Sequence, residues 1–318
     1  MAAAIDIDGL TKDYKVGFWR PRPYRALDHL TLQVEAGEAF GFLGPNGAGK
    51  TTTLKLLMQL VFPTSGRASI LGRPLGDLAA RHRIGYLPEN PYFYDNLTAE
   101  ELLEYFASLF GYGPLDRRQR ASRLLDDVGI GAERRMQLRK YSKGMVQRVG
   151  IAQALLNDPE VLFLDEPMSG LDPLGRRDIR ELILRLRARG TTVFFSSHIL
   201  SDAETLCSRV AIVAGGRLAT VGRLRDMAGY EVRGWEVVMT EVSASMLETL
   251  ASRGVKAIAV AAGACTFELP RDARPEPFIA ELAATGASLV SVAPLHTTLE
   301  EIFVQQVNKA GSAREGAL

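Results

Sequence analysis

The chain has 318 residues, 47% hydrophobic, 24% charged and 8% aromatic, with 30 glycines and 15 prolines. That is a globular composition, long enough for about two domains, and it excludes collagen-like, coiled-coil and disordered classes. Lysine plus arginine number 38 against 37 aspartate plus glutamate, so a net charge of +1 gives no bulk attraction to nucleic acid or an anionic membrane.

No stretch of about 18 apolar residues is present to span a bilayer. The start, Met1 to Leu10, carries Asp6 and Asp8 and lacks a basic-then-apolar leader. Cys207 and Cys265 are too few for a disulfide framework or a zinc cluster. The expectation is a soluble intracellular protein of two domains.

Ile5, Ile7 and Leu10 open a strand, and Phe18 to Tyr24 is a basic, aromatic, proline-containing loop or hairpin insert. Leu30, Leu32 and Val34 alternate as a half-buried strand. Ala39 to Leu43 is a buried strand that stops at Gly44. A helix follows from Gly49 through Leu60, before Pro63, and Arg83 to Leu87 is a further strand. Thr98-Ala99-Glu100-Glu101 has the pattern of a capping box ahead of Leu102, Leu103, Phe106 and Leu109 at helical spacing. Leu115 to Val128 and Ser142 to Leu156 also read as helices, so residues 89–157 form a mostly helical insert. Val161 to Leu164 and Val193 to Phe195 are strands, Arg176 to Arg189 and Ile199 to Cys207 helices. Val210 to Ala214 and Leu218 to Val221 flank the hairpin signal Gly215-Gly216. Strands alternating with helices predict a mostly parallel sheet with antiparallel margins.

The pattern changes near Gly229. Strand 232–240, helix 244–252, strands 255–261 and 265–269, helix 276–284 and strand 289–293 give the order β-α-β-β-α-β, a ferredoxin-like arrangement. A last helix, Leu299 to Val307, precedes a frayed tail from Gly311.

Gly44-Pro45-Asn46-Gly47-Ala48-Gly49-Lys50-Thr51 fits the phosphate-binding pattern G-x-x-x-x-G-K-[ST], between a strand and a helix. Glycines let backbone N–H groups curl around a phosphate without a Cβ in the way. The helix that follows points its positive end at the anion. Lys50 is placed to bridge β- and γ-phosphates, Thr51 to ligate Mg²⁺ and Thr52 to add a phosphate contact. The strand Val161 to Leu164 carries Asp165 to the carboxyl edge of the sheet, where ligands gather. Asp165 can hold Mg²⁺, and Glu166 can polarise an attacking water. An Asp-Glu pair after a strand is by itself an ordinary solvated strand end; beside the phosphate loop it completes a nucleotide-hydrolysis site.

With these motifs, residues 1–228 resemble the nucleotide-binding subunits of ABC transporters. Tyr141-Ser142-Lys143-Gly144-Met145 looks like that family's signature loop, Met168-Ser169-Gly170-Leu171-Asp172 like its D-loop, and Ser197-His198 like its switch histidine. The resemblance implies an α/β P-loop ATPase with a mixed sheet, of which the stretch 89–157 is the helical subdomain. The ferredoxin-like stretch 229–318, beyond the resemblance, carries no cluster of catalytic residue types and reads as an accessory α+β domain that regulates or dimerises. The resemblance also implies ATP with Mg²⁺, sandwiched between two copies. Gly44, Asn46, Gly47, Gly49, Lys50, Thr51, Thr52 and Asp165 of one chain would face Ser142 and Gly144 of the other. Asp172 would be an inter-subunit contact, His198 a γ-phosphate sensor and Tyr14, after Leu10-Thr11-Lys12 as in relatives, the adenine shelf, with Tyr24 or Trp19 of the nearby insert as the alternatives to it. A serine at a helix start is equally an N-cap, a lone histidine at a strand end equally structural, and Asp172-Pro173 equally a turn.

Lys143 stands where the family has glycine and Met145 where it has glutamine. Glu89, in Tyr86-Leu87-Pro88-Glu89-Asn90, replaces its usual glutamine. A carboxylate there can still ligate Mg²⁺, and it looks like the ABC-2, exporter-type branch, whose permease subunits are separate membrane proteins. The implied partners are transmembrane permease subunits and a second copy, not nucleic acid. The implied location is cytoplasmic, peripheral on the inner face of the membrane. Pro91-Tyr92-Phe93-Tyr94 offers aromatic anchors for a partner helix, or else core packing of the insert. A soluble ABC ATPase of ribosomes or DNA, or a nucleotide-gated regulator without a membrane partner, are the alternatives. One cassette without a heptad run argues against the first, and Glu166 argues against the second.

Overall fold

A computed structural model describes residues 3–17, 19, 22–227, 232–253, 255, 257–261, 263–296 and 300–305. In chain order they form β1 (Ala3–Val16), β2 (Arg22–Glu35), β3 (Ala39–Leu43), α1 (Lys50–Leu57), β4 (Ser65–Ile70), β5 (Arg73–Pro74), α2 (Leu78–Arg81) and β6 (Ile84–Leu87). Then follow α3 (Ala99–Leu109), α4 (Pro114–Asp127), a 3₁₀ turn at Leu138–Lys140, α5 (Lys143–Ala154), β7 (Val161–Asp165), α6 (Pro173–Ala188), β8 (Thr192–Ser197), α7 (Leu200–Leu206), β9 (Arg209–Ala214), β10 (Arg217–Arg223) and α8 (Leu224–Met227). The last stretch holds β11 (Val232–Thr240), α9 (Ala244–Ser252), β12 (Ala257–Ala261), β13 (Ala264–Pro270), α10 (Pro275–Ala283) and β14 (Ser288–His296). The chain divides into two units, one holding the described residues up to Leu224 and those from Phe303, the other Arg225–Ile302.

The first unit contains a six-stranded sheet in the order β10-β9-β3-β8-β7-β6. All its pairings are parallel except that of β10 with β9, as the alternation of strands and helices predicts. The strands β3, β7 and β8 are buried along their whole length, which is why they read as continuous apolar runs. Phe194 on β8 anchors them, its ring 5.8 Å from Phe40, 5.2 Å from Phe42 and 5.7 Å from Phe163. These aromatic contacts lock three strands whose carboxyl ends carry the candidate chemistry.

A second, antiparallel sheet has the order β2-β1-β4-β5. The sequence reading missed β4, β5 and α2. Ser65-Gly66-Arg67-Ala68-Ser69-Ile70 has too few apolar residues to alternate visibly; its strand form comes from pairing with β1, Ile5 opposite Ile70 and Asp8 opposite Arg67. Of the two readings of 18–24, loop or hairpin insert, the second holds for Tyr24, which lies in β2 because the hairpin pairs as far as Val16 and Arg22; Phe18, Arg20 and Pro21 lie outside the described residues.

Helix ends also differ from the periodicity. The expected helix to Leu60 stops at Leu57, because Gln59 adopts a left-handed φ of 53°. The helix expected from Arg176 starts at Pro173, because Asp172 caps it by accepting from the Gly175 N–H at 2.9 Å. The capping box is present: Thr98 Oγ1 accepts from the Glu101 N–H at 3.2 Å and Glu101 Oε2 accepts from the Thr98 N–H at 2.8 Å. Gly215 and Gly216 have φ of 58° and 83°, the left-handed pair a tight hairpin requires.

The second unit has the sheet order β12-β13-β11-β14, every pairing antiparallel. With α9 and α10 this is the ferredoxin-like arrangement the element order predicts. Its core gathers Val237, Met239, Leu250, Phe267 and Leu282, with Phe278 edge-on to Phe267 at 5.3 Å. Residues 300–305 are helical. The rest of the expected Leu299–Val307 helix, the tail from Gly311 and the pattern change at Gly229 lie outside the described residues.

Candidate functional site

Four loops leave the carboxyl ends of adjacent parallel strands. The glycine-rich loop follows β3, Glu89 follows β6, Asp165-Glu166 ends β7 and His198 follows β8. The glycine loop cannot be built from other residues. Gly49 has φ 105°, and a Cβ there would sit 2.7 Å from the Ala26 carbonyl. A Cβ at Gly44 would meet the Val213 carbonyl at 2.5 Å. The loop therefore holds its N–H groups around a cleft of about 430 Å³.

Tyr14, Asn46, Gly47, Gly49 and Lys50 line this cleft, together with Thr51, Thr52, Glu89 and Glu166. Gly44 contributes through its carbonyl, which accepts from Lys50 Nζ at 2.8 Å. Lys50 is 7% exposed and stands 3.4 Å from Glu166 Oε1. The other Glu166 oxygen lies 2.9 Å from His198 Nδ1, so the carboxylate is held between the loop lysine and the histidine. Glu166 itself has a left-handed φ of 50°, strain of the kind that marks functional positions. A larger depression, about 710 Å³, lies over β1, β2 and β4. Its lining charges all have partners, Arg67 with Asp8 at 2.9 Å, Asp6 accepting from Gln33 at 3.0 Å and Arg209 with Glu38 at 2.7 Å, and no phosphate-loop group lines it.

Asp165 is fully buried. Its Oδ1 accepts from Ser196 Oγ at 2.5 Å, while Oδ2 makes no hydrogen bond among the described residues. Burial pushes its carboxyl above the ordinary range; the Ser196 and Thr51 hydroxyls pull it down, and the Glu89 and Glu166 charges push it up. Tyr86 beneath is pushed up to about 12 by burial and then by the Asp165 and Glu89 charges. A buried, half-satisfied carboxylate in a negative field, beside a threonine hydroxyl, suits a divalent cation. Among the described residues no cluster of three or more His, Cys, Asp or Glu forms a complete metal site. The donor set matches Mg²⁺, which takes one or two carboxylates and completes its shell with water and phosphate.

Ser142, Gly144 and Asp172 do not line the cleft. Ser142 is exposed and caps α5, its Oγ accepting from the Met145 N–H at 3.2 Å. Gly144 packs against the D-loop, where an added Cβ would be 3.1 Å from the Gly170 carbonyl. Within one chain Ser142 and Asp172 thus act as helix caps, with Ser142 left exposed.

Sequence reasoning missed three supporting residues. Ser196 orients both Asp165 and the Glu166 N–H, the latter at 3.1 Å; its signal is a hydroxyl at the end of an apolar strand. Gln147, buried on α5, donates to the Glu166 carbonyl at 3.4 Å. Asp202 on α7, fully buried, accepts from Arg180 Nη2 on α6 at 2.6 Å and Nε at 3.0 Å, tying the D-loop helix to the switch-histidine helix. Nothing in the spacing of either residue reveals that pair. Asp202→Ala is expected to cost about 3 kcal/mol in denaturant unfolding, the low end for breaking a buried pair, because Arg180 retains access to water. A loss below 0.5 kcal/mol, the ordinary scatter of surface substitutions, would show that the pair is not structural.

A sheet that gathers a phosphate loop, a buried half-satisfied aspartate, a strained glutamate and a histidine at one edge defines a P-loop nucleotide-hydrolase fold. Residues 27–169 match the family model described as ABC transporter. The chain is 44% identical, over 98% of its length and 86% of the relative's, to an uncharacterized ABC transporter ATP-binding protein of Synechocystis sp.. It is 38% identical to the Nod factor export ATP-binding protein I of Cupriavidus pinatubonensis, over 70% of this chain and 69% of that one. A dimeric ATP-binding cassette in a post-hydrolysis state bound to ADP and Pi superposes with a TM-score of 0.64 at 28% identity, covering 70% of this chain and 99% of that one. The chain belongs to the ATP-binding proteins of ABC transporters, a family of ABC-type ATPases.

Proposed function

We propose that this ATPase powers export through separate transmembrane permease subunits, by closing and opening as a dimer around two ATP molecules. The observation that carries the reading is the contact of buried Lys50 and Glu166, with exposed His198 on the other carboxylate oxygen, at the mouth of the glycine loop. Lys50 exchanges its carbonyl partners and Glu166 for the β- and γ-phosphates when ATP enters. Glu166, freed from the lysine, takes the proton of the attacking water, and His198 at its other oxygen keeps it oriented and reaches the γ-phosphate. Bound Mg²⁺, held by Thr51 and Asp165 with Glu89 alongside, would supply charge neutralisation at the β- and γ-phosphates. Ser142 is exposed at the start of α5, and with Gly144 beside it suits the γ-phosphate of a nucleotide held by the second copy. Asp172 closes the same interface.

Among the described residues no helix is long and apolar enough to cross a membrane, so the conduit in this reading is another chain. The exposed side chains beside Glu89 suit a partner helix. Tyr92 and Tyr94 point outward at 89% and 61% exposure, while Phe93 turns in to Phe106 at 6.4 Å. The protein then sits on the cytoplasmic face of the membrane, held there by its permease. The second unit, Arg225–Ile302, acts as an accessory or regulatory domain. The relative named for Nod factor export and the dimeric cassette bound to ADP and Pi support this reading.

The test is ATP turnover by the purified protein, with and without its co-expressed permease, and the partition of each between soluble and membrane fractions. Turnover in Mg²⁺ that stops with chelator, and membrane association only with the permease, are expected. No turnover even with the permease, or membrane binding without it, would contradict the motor reading.

A further inference from the structure

Tyr24 is a cleft residue that no motif of the site assigns. It stands directly opposite Tyr14 in the antiparallel register of β1 and β2. Opposite residues of such a pair project from the same face, with Cβ atoms about 4.5–5.5 Å apart. Both tyrosines line the cleft that holds the glycine loop, and Tyr24 is 46% exposed, its ring open to a ligand. Tyr14 is fixed in place: the Lys12 ammonium sits 5.1 Å from its ring centre and donates to the Phe62 carbonyl at 2.6 Å. One phenol ring covers a single six-membered ring. Two phenols side by side cover the fused double ring of a purine.

We propose that Tyr24 is a second base-stacking residue, and that Tyr14 and Tyr24 together form a shelf that favours purine over pyrimidine nucleoside triphosphates. This rests on the nucleotide-binding reading of the site and adds to it the class of base. Stacking is tolerant of sequence because every base has a π-face. The selection comes from area, since a one-ring base reaches only one of the two phenols. The shelf therefore does not separate adenine from guanine.

Equilibrium binding of ATP, GTP, CTP and inorganic tripolyphosphate to the full chain tests this with Tyr24→Ala, Tyr24→Phe and Tyr14→Ala. Tyr24→Ala is expected to weaken ATP and GTP on the order of 10-fold and CTP by no more than about twofold, with tripolyphosphate unchanged. Tyr24→Phe keeps the ring and restores ATP affinity. Unchanged ATP binding in Tyr24→Ala alongside weakened binding in Tyr14→Ala would overturn the proposal and leave the nucleotide reading standing. Equal losses for ATP and tripolyphosphate would overturn it too, because they would mark damage to the loop. Wild-type protein that binds neither ATP nor tripolyphosphate would remove the nucleotide reading itself.

Discussion

Glu166→Gln is expected to lower ATP turnover by about 100-fold or more, the usual worth of a positioned general base, while ATP still binds. The amide keeps the size of the carboxylate and can still meet His198, now 2.9 Å away. It loses the charge that faces Lys50 at 3.4 Å and the ability to take a proton from water. ATP affinity is expected to hold or rise, because Lys50 no longer has a competing anion. Single-turnover and equilibrium-binding measurements separate the two effects. Turnover at the wild-type rate would remove Glu166 from the chemistry and leave its left-handed φ of 50° without a functional account.

Lys50→Ala is expected to weaken ATP binding by about 100-fold, near 2.7 kcal/mol, the scale of a lost charge-assisted contact to phosphate. Two further effects act in the same direction. Glu166, largely buried, loses its cation and presents an uncompensated charge to the incoming phosphates. The Gly44 carbonyl loses its donor at 2.8 Å, and the loop loses an internal tie. Isothermal titration with ATP in Mg²⁺ reads the result. Affinity within twofold of wild type would mean that the glycine loop binds phosphate through its backbone alone.

How much of this was legible in the residues depends on where the information sits. The phosphate loop was readable because its glycines are demanded locally, by the φ of Gly49 and the carbonyl that a Cβ at Gly44 would strike. The strands β3, β7 and β8 were readable because burial on both faces leaves an unbroken apolar run. The ferredoxin-like order of the second unit followed from strand and helix periodicity alone. By contrast, β4 takes its form from β1 across the sheet, and Tyr24 enters the cleft through the register of a hairpin. The Arg180–Asp202 pair joins residues on separate helices. Each is a property of tertiary pairing, and periodicity along the chain carries no trace of it.

The signature loop poses a different problem. Ser142 satisfies its own helix as an N-cap, so the structure of one chain accounts for it without any ligand. Its place facing outward from α5 has a functional meaning only if a second copy completes the site. Ser142→Asp separates the two readings. Aspartate is as good a cap as serine and favours a helix N-terminus, so the fold is kept, while its charge opposes a γ-phosphate.

The central claim, a catalytic site divided between two copies, is tested most directly by mixing Lys50→Ala and Ser142→Asp chains and measuring ATP turnover. Each alone has two defective sites and is expected to be inactive. A mixed dimer has one site with both defects and one with an intact loop and an intact signature. At equal amounts, half the dimers are mixed and turnover is expected to return to about a quarter of wild type. Full activity of Ser142→Asp alone, or no recovery on mixing, would contradict the shared site.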